Sequence, residues 1–150
     1  KILNEKNEIR NFINDDAWAR DSGAIFLLNK EKKLGGVDWE FNGWGKFSPY
    51  DSDNKIAKFM IENVNATYFK NDMILEGGSI HVDGEGTLIT TEQCLLNKNR
   101  NPNLSKENIE ISIIYNHIKM NNVAIIQHLI DLNYLLRECL APFLALNKAR

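Results

Sequence analysis

Residues 75–102 read LEGGSIHVDGEGTLITTEQCLLNKNRNP, and this stretch decides the fold. Its short β-prone runs, MILEGG, SIHVD and TLITTEQCL, are punctuated by Gly77, Gly78, Gly84 and Gly86. Asp83-Gly84-Glu85-Gly86 lies between two of them and is a hairpin turn signal. The loop NKNRNPN then delivers the chain to Ser105, a good helix N-cap, and Ile111, Ile114 and Ile118 follow at helical spacing on one side.

Working outward, residues 51–64 carry Ile56, Phe59, Met60 and Val64 on one helical face. Asp51 and Asp53 stand where a helix start favours negative charge, which predicts a helix near 52–64. Before it, AIFLLN at 24–29 reads as a strand. GVDWEFNG at 36–43 alternates Val37, Trp39 and Phe41 against Asp38, Glu40 and Asn42, which predicts a second, half-buried strand. With ATYF at 66–69, the order is ββαβββα, an α/β (α+β) fold. Downstream, VAIIQHL reads as a strand. The tail with Leu132, Leu135, Leu136, Cys139, Leu140, Phe143 and Leu144 reads as an amphipathic helix that Pro142 kinks or ends. No sequence period repeats, and no linker interrupts residues 1–112.

The 150 residues, 43% apolar and 25% charged, are one ordinary soluble domain's worth. No apolar run approaches the ~18 residues that span a bilayer, and KILNEKNEIR is too charged for a signal-peptide core. The expectation is a cytoplasmic protein without a membrane partner. A first residue of Lys1 instead of methionine suggests an excerpt of something longer. Net charge is -2 with scattered Lys and Arg, so no basic stripe invites nucleic acid. Cys94 and Cys139 stand far apart with no CxxC and no paired His spacing, which indicates neither a zinc site nor a disulfide framework.

Two clusters carry potential chemistry. Asp15-Asp16-Ala17-Trp18-Ala19-Arg20-Asp21-Ser22-Gly23 sets acids, an arginine and an indole immediately before a strand. A carboxylate there could take a planar guanidinium through two parallel hydrogen bonds, with the indole covering a cation or an alkyl tail. The bland alternative is an Arg20–carboxylate ion pair beside a buried Trp18. In Glu76–Gly86, titratable groups sit among glycines that permit close approach. Neither phosphate-loop pattern is completed. A metal site from His81, Asp83 and Glu85 has the two-residue spacing of any polar strand face. A substrate carboxylate at Glu76 is the third reading. Asp51-Ser52-Asp53 with Glu62 mimics a calcium loop, but Lys55 and Ile56 occupy a ligand and the glycine position.

WARDSG at 18–23, GGVDWEFNGWG at 35–45, residues 75–102 and LSKENIE at 104–110 together resemble the agmatine deiminase family of the pentein superfamily. The resemblance covers about residues 14–112. It implies a partial pentein β/α-propeller, in full five ββαβ modules around a substrate channel. It also implies the family's reaction: a cysteine thiolate attacks the guanidinium carbon of agmatine, ammonia leaves, and water releases N-carbamoylputrescine, on the route to putrescine. Asp21 resembles the family's first guanidinium-binding carboxylate, Glu76 a second active-site acid, and Trp18 lies beside the channel. The family's catalytic Gly-His-Ile-Asp and Gly-Gly-Asn-Ile-His-Cys motifs have no match here. His117-Ile118-Lys119 is the nearest echo of the first. His81 is therefore assigned a structural role, and Cys94 and Cys139 are read as packing residues.

These readings predict a partial deiminase domain over 1–112 and a divergent helical tail over 113–150. The expected chain is a hydrolase fragment without catalytic residues, metal or cofactor, whose partner is agmatine. The alternatives are a non-catalytic interaction module that associates through the Leu-rich tail, as a homo-oligomer for example, and a peptidyl-arginine deiminase-like guanidine hydrolase.

Overall fold

The computed structural model of the chain describes residues 11–83, 87–119 and 129–131. The first half holds helix α1 (Ala19–Ser22), strands β1 (Ile25–Leu28) and β2 (Leu34–Glu40), the single turn α2 (Gly43–Lys46), α3 (Ile56–Asn63) and β3 (Thr67–Ile74). The second holds β4 (Ile80–Val82), β5 (Leu88–Thr90), α4 (Glu92–Leu95), α5 (Lys106–Lys119) and β6 (Leu129–Asp131). The predicted order ββαβββα is present.

The strands form two three-stranded sheets with the same connectivity. β1 pairs antiparallel with β2, and β2 pairs parallel with β3. β4 pairs antiparallel with β5, and β5 pairs parallel with β6. A tight turn joins antiparallel neighbours, whereas a parallel partner needs a crossover. α3 lies within the first crossover and α5 within the second. The β4–β5 pairing bears out the hairpin read from Asp83-Gly84-Glu85-Gly86. Of VAIIQHL only Leu129 is described, at the start of β6; the tail helix, Cys139 and Pro142 lie outside the described residues.

One apolar core joins the sheets. Val37 and Trp39 of β2 pack with Met73, Leu75, Ile80, Leu88, Leu95 and, from α5, Ile109 and Ile113. Asn101 secures this junction: its amide donates to the carbonyls of Ile74 (2.9 Å) and Leu95 (3.0 Å), and its Oδ1 accepts from the Ile74 amide (3.0 Å).

Three local expectations are corrected. β2 is buried on both faces along Gly35–Trp39, not half-buried, because α3 returns across the face that Asp38 shares with Gly36. TTEQCL does not continue a strand: Thr91 Oγ1 accepts from the Cys94 amide, and this N-cap turns the chain into α4. On α5, the pair Ile109 and Ile113 faces the core while Ile111 is 62% exposed. Ile114 is partly buried against the same core, so of the expected set only Ile111 is seen to turn outward.

The α3-side face of β2 and β3 is polar. Buried Asp38 accepts from Tyr68 Oη at 2.6 Å, and Lys70 Nζ reaches Glu40 Oε1 and lies 3.9 Å from Asp38 Oδ2. Asn54 Nδ2 donates to Glu40 Oε2 at 2.7 Å. Burial pushes the Tyr68 phenol up, and its bond to Asp38 raises it further. Burial also raises the Glu40 carboxyl, but the bonds from Lys70 and Asn54 more than reverse this and hold it below the ordinary glutamate value.

A carboxyl with a depressed folded-state pKa contributes stability above its unfolded pKa and loses it as acidification passes the lowered value. Glu40→Gln is therefore expected to reduce the stability lost on going from about pH 5 to about pH 3. Solvent screening at Lys70 limits the difference to about 0.5–1 kcal/mol. Urea midpoints at neutral and acid pH would measure it; equal acid losses in both proteins would exclude Glu40 from the acid response.

Candidate functional site

The segment before α1 is held by carboxylates as well as by the Phe12–Phe59 ring contact. Asp53, 2% exposed, accepts from the Asp15 amide (2.7 Å) and from the Asp16 amide (3.3 and 3.2 Å). Asp15 reciprocates, its Oδ2 accepting from the amides of Ser52 (2.7 Å) and Asp53 (3.3 Å). The Ser52 amide is the main reason the Asp15 carboxyl sits below its ordinary value. Asp53 does stand at the entry to α3, as expected, but its carboxylate is spent on this strap.

The strap sets the start of α1 and hence Asp21. One oxygen of Asp21 accepts from the Gly78 amide at 2.8 Å and the other from Trp44 Nε1 at 3.0 Å. The glycine pair makes this approach possible. A Cβ on Gly77 would stand 2.1 Å from the Arg20 carbonyl, and one on Gly78 would stand 2.2 Å from Asp21 Oδ1.

Trp44 is delivered by an unusual backbone. Gly43, Trp44, Gly45 and Lys46 all have positive φ (61°, 56°, 95° and 70°), so α2 is a left-handed turn. Such a conformation costs ordinary residues roughly 1–2 kcal/mol each. Local contacts offset it: Asn42 Oδ1 accepts from the Gly45 amide at 2.9 Å, and the Trp44 ring meets Phe41 edge-on at 5.2 Å. Strain retained in this way is a pointer to function.

Glu76, 4% exposed, precedes the glycine pair, and its Oε1 accepts from Arg100 Nε at 2.7 Å. Arg100 Nη1 donates to Asn99 Oδ1 at 2.9 Å, and Asn42 Nδ2 donates to the Asn99 carbonyl at 2.9 Å. No described residue donates to Glu76 Oε2. Each Asp21 oxygen takes one donor, which leaves acceptor capacity on both. The arrangement can receive a planar cation bearing several N–H groups.

Asp21 and Glu76, far apart in sequence, are thus brought to one place. Trp18 stands at the head of α1 but is 65% exposed, and Arg20 is exposed without an ion pair among the described residues, so the Arg20–carboxylate alternative fails. His81 and Asp83 lie exposed at the end of β4, apart from this cluster, and no group of three or more His, Cys, Asp or Glu that could hold a metal occurs among the described residues. Cys94 is half-buried on α4.

Sequence reasoning missed Trp44, Asn99 and Arg100. A signal existed for the first, since glycines flanking a tryptophan in Asn42-Gly43-Trp44-Gly45 permit positive φ. An open groove of about 540 Å³ runs past Asn71, Asp72, Asn103 and Asn108 and touches the site only through Arg100, and a void of about 20 Å³ between α4 and α5 has room for one water; neither is lined by Asp21 or Glu76. The converging hydrogen-bonding groups identify the site better than enclosed volume does.

The Porphyromonas-type peptidyl-arginine deiminase family matches residues 2–132. The agmatine deiminase of Pseudomonas putida is 47% identical over 116 residues, covering 73% of this chain and 31% of the relative. Among solved structures, the agmatine deiminase of Enterococcus faecalis superposes with a TM-score of 0.65 at 44% identity, over 75% of this chain and 31% of that one. A substrate-bound agmatine deiminase of C. jejuni gives a TM-score of 0.64 at 35% identity, over 72% and 32%. The chain therefore spans about a third of the length of the relatives it matches. A family match running almost from the first residue through β6, on a fold shared with those deiminases, makes this chain a member of the Porphyromonas-type peptidyl-arginine deiminase family.

Proposed function

We propose that the chain carries the carboxylate side of an agmatine deiminase substrate site, with Asp21 and Glu76 receiving the guanidinium and Trp18 flanking the entry. The observation that carries this reading is the convergence of the two acids through Gly77 and Gly78, one of them with an oxygen free of described donors. Two acids orient a guanidinium and compensate its charge.

Deimination breaks one C–N bond of the guanidinium, releases ammonia and leaves the oxygen of water on the carbon. It needs a thiolate nucleophile and a proton-transferring histidine. Neither Cys94 nor His81 belongs to the acid cluster, so the described residues supply binding groups without that machinery. We read the chain as inactive alone, and as part of a larger β/α-propeller whose ββαβ modules continue the two sheets. In this reading the deiminase domain covers 1–112 and runs on through α5 and β6, the Leu-rich segment that follows within 113–150 is a surface for self-association, and the protein resides in the cytoplasm. No described helix is long and apolar enough to cross a membrane.

The purified chain is expected to release neither ammonia nor N-carbamoylputrescine from agmatine, with or without Cys94→Ala. Agmatine at about millimolar concentration is expected to shift the carboxyl resonances of Asp21 and Glu76, and Asp21→Asn to weaken binding about tenfold or more, a loss of at least 1.4 kcal/mol. Turnover abolished by Cys94→Ala would place the nucleophile on α4 and overturn the reading. The family's description also names peptidyl-arginine, so a blocked arginine peptide belongs in the same titration. Identity of 47% to an agmatine deiminase favours agmatine as the tighter ligand.

A further inference from the structure

We propose that Arg100 is a positioning residue of the guanidinium site: it fixes Glu76 and, through the left-handed turn, ties that acid to Asp21. The proposal rests on the reading of Asp21 and Glu76 as substrate carboxylates.

The contacts close into a ring. Asp21 is held by Trp44 and by the Gly78 amide; Trp44 belongs to the turn that Asn42 joins to Asn99; Asn99 and Glu76 both receive donors from Arg100; and Glu76 returns to Gly78 through Gly77. Gly45 is the joint. At φ 95° its Cβ would stand 2.4 Å from Asn99 Nδ2 and 2.7 Å from Arg100 Nη1, so the turn and the arginine fit only where no side chain intervenes.

The choice of arginine follows from geometry. Its Nε serves Glu76 and its Nη1 serves Asn99, two donors at a fixed angle that a lysine ammonium does not reproduce. A buried carboxylate also requires a counter-charge. With Arg100 on Oε1, Glu76 is held in one orientation with Oε2 turned to other donors. Asp21, Glu76 and Arg100 together carry one net negative charge, which matches a singly charged guanidinium head.

The test is an agmatine titration of the full chain and its variants, with amide spectra confirming that each is folded. Arg100→Gln is expected to weaken agmatine binding about tenfold. Arg100→Lys, which keeps the charge and serves where the glutamine variant fails to fold, should recover only part of the loss. If Arg100 acts through Glu76, Arg100→Gln changes affinity little once Glu76→Gln is present; a purely structural role would cost the same factor in both backgrounds. Wild-type affinity in Arg100→Gln, or equal losses in the two backgrounds, would overturn the positioning role while leaving the substrate site standing. No binding by the wild-type chain would overturn the site and this role together.

Discussion

Ile61→Ala is expected to cost the chain about 3 kcal/mol, within the 2–5 kcal/mol range of buried isoleucine truncations. Ile61 is 0% exposed, on the inner side of α3, and it fills the space above Gly36 of β2. A Cβ on Gly36 would stand 2.4 Å from Ile61 Cγ1 and 2.9 Å from its Cδ1. Gly36→Ala alone should therefore destabilise by overpacking, about 1–3 kcal/mol. Combined with Ile61→Ala, the added methyl occupies part of the void, so the double variant should be more stable than the sum of the single losses predicts. Urea unfolding of the four proteins measures this directly. Strict additivity would mean that α3 does not press on Gly36.

This pairing also indicates where sequence reading ends. The alternation of Val37 and Trp39 with Asp38 and Glu40 correctly marks a strand, yet it looks half-solvated because nothing local says that α3 folds back over the acids. Gly36 held the missing information, as a residue with no side chain where a helix must pass. The β-prone Leu88-Ile89-Thr90 does form β5, but the cap formed by Thr91 stops the strand there and starts α4. Asp21 and Glu76 were legible as candidates because their glycine-flanked segments suggest close approach and because both lie in segments that resemble a known family. Arg100 was not. Its partner is far away along the chain, and a run such as Asn97-Lys98-Asn99-Arg100 looks like any polar loop until folding sets it against a buried acid.

Asp53→Ala is the second large effect, about 3 kcal/mol. Charge-assisted hydrogen bonds contribute about 1.5–3 kcal/mol each, and Asp53 receives amides from both Asp15 and Asp16. Partial rehydration of those amides near the surface keeps the loss below the sum. Asp53→Asn should lose about half as much, because Oδ1 can still accept from Asp15 while the new amide group faces the Asp16 donor. Since the strap sets the start of α1, the alanine variant should also bind agmatine more weakly, through Asp21. A midpoint unchanged by Asp53→Ala would show that the strap does not hold the segment.

The bracket at residues 42–45 also bears on how the chain ages. An asparagine side chain is lost when the amide nitrogen of the next residue attacks its carbonyl carbon, and a following glycine hinders that attack least. Asn42 precedes Gly43, and its side chain holds both the Gly45 amide and the Asn99 carbonyl. Conversion to aspartate would remove the donor to Asn99 and set a negative charge against that carbonyl. Asn101, equally central to the core junction, precedes Pro102, whose nitrogen carries no hydrogen and cannot close the ring. Chemical wear of the folded chain would therefore begin at the turn that carries Trp44 to Asp21 and spare the core junction.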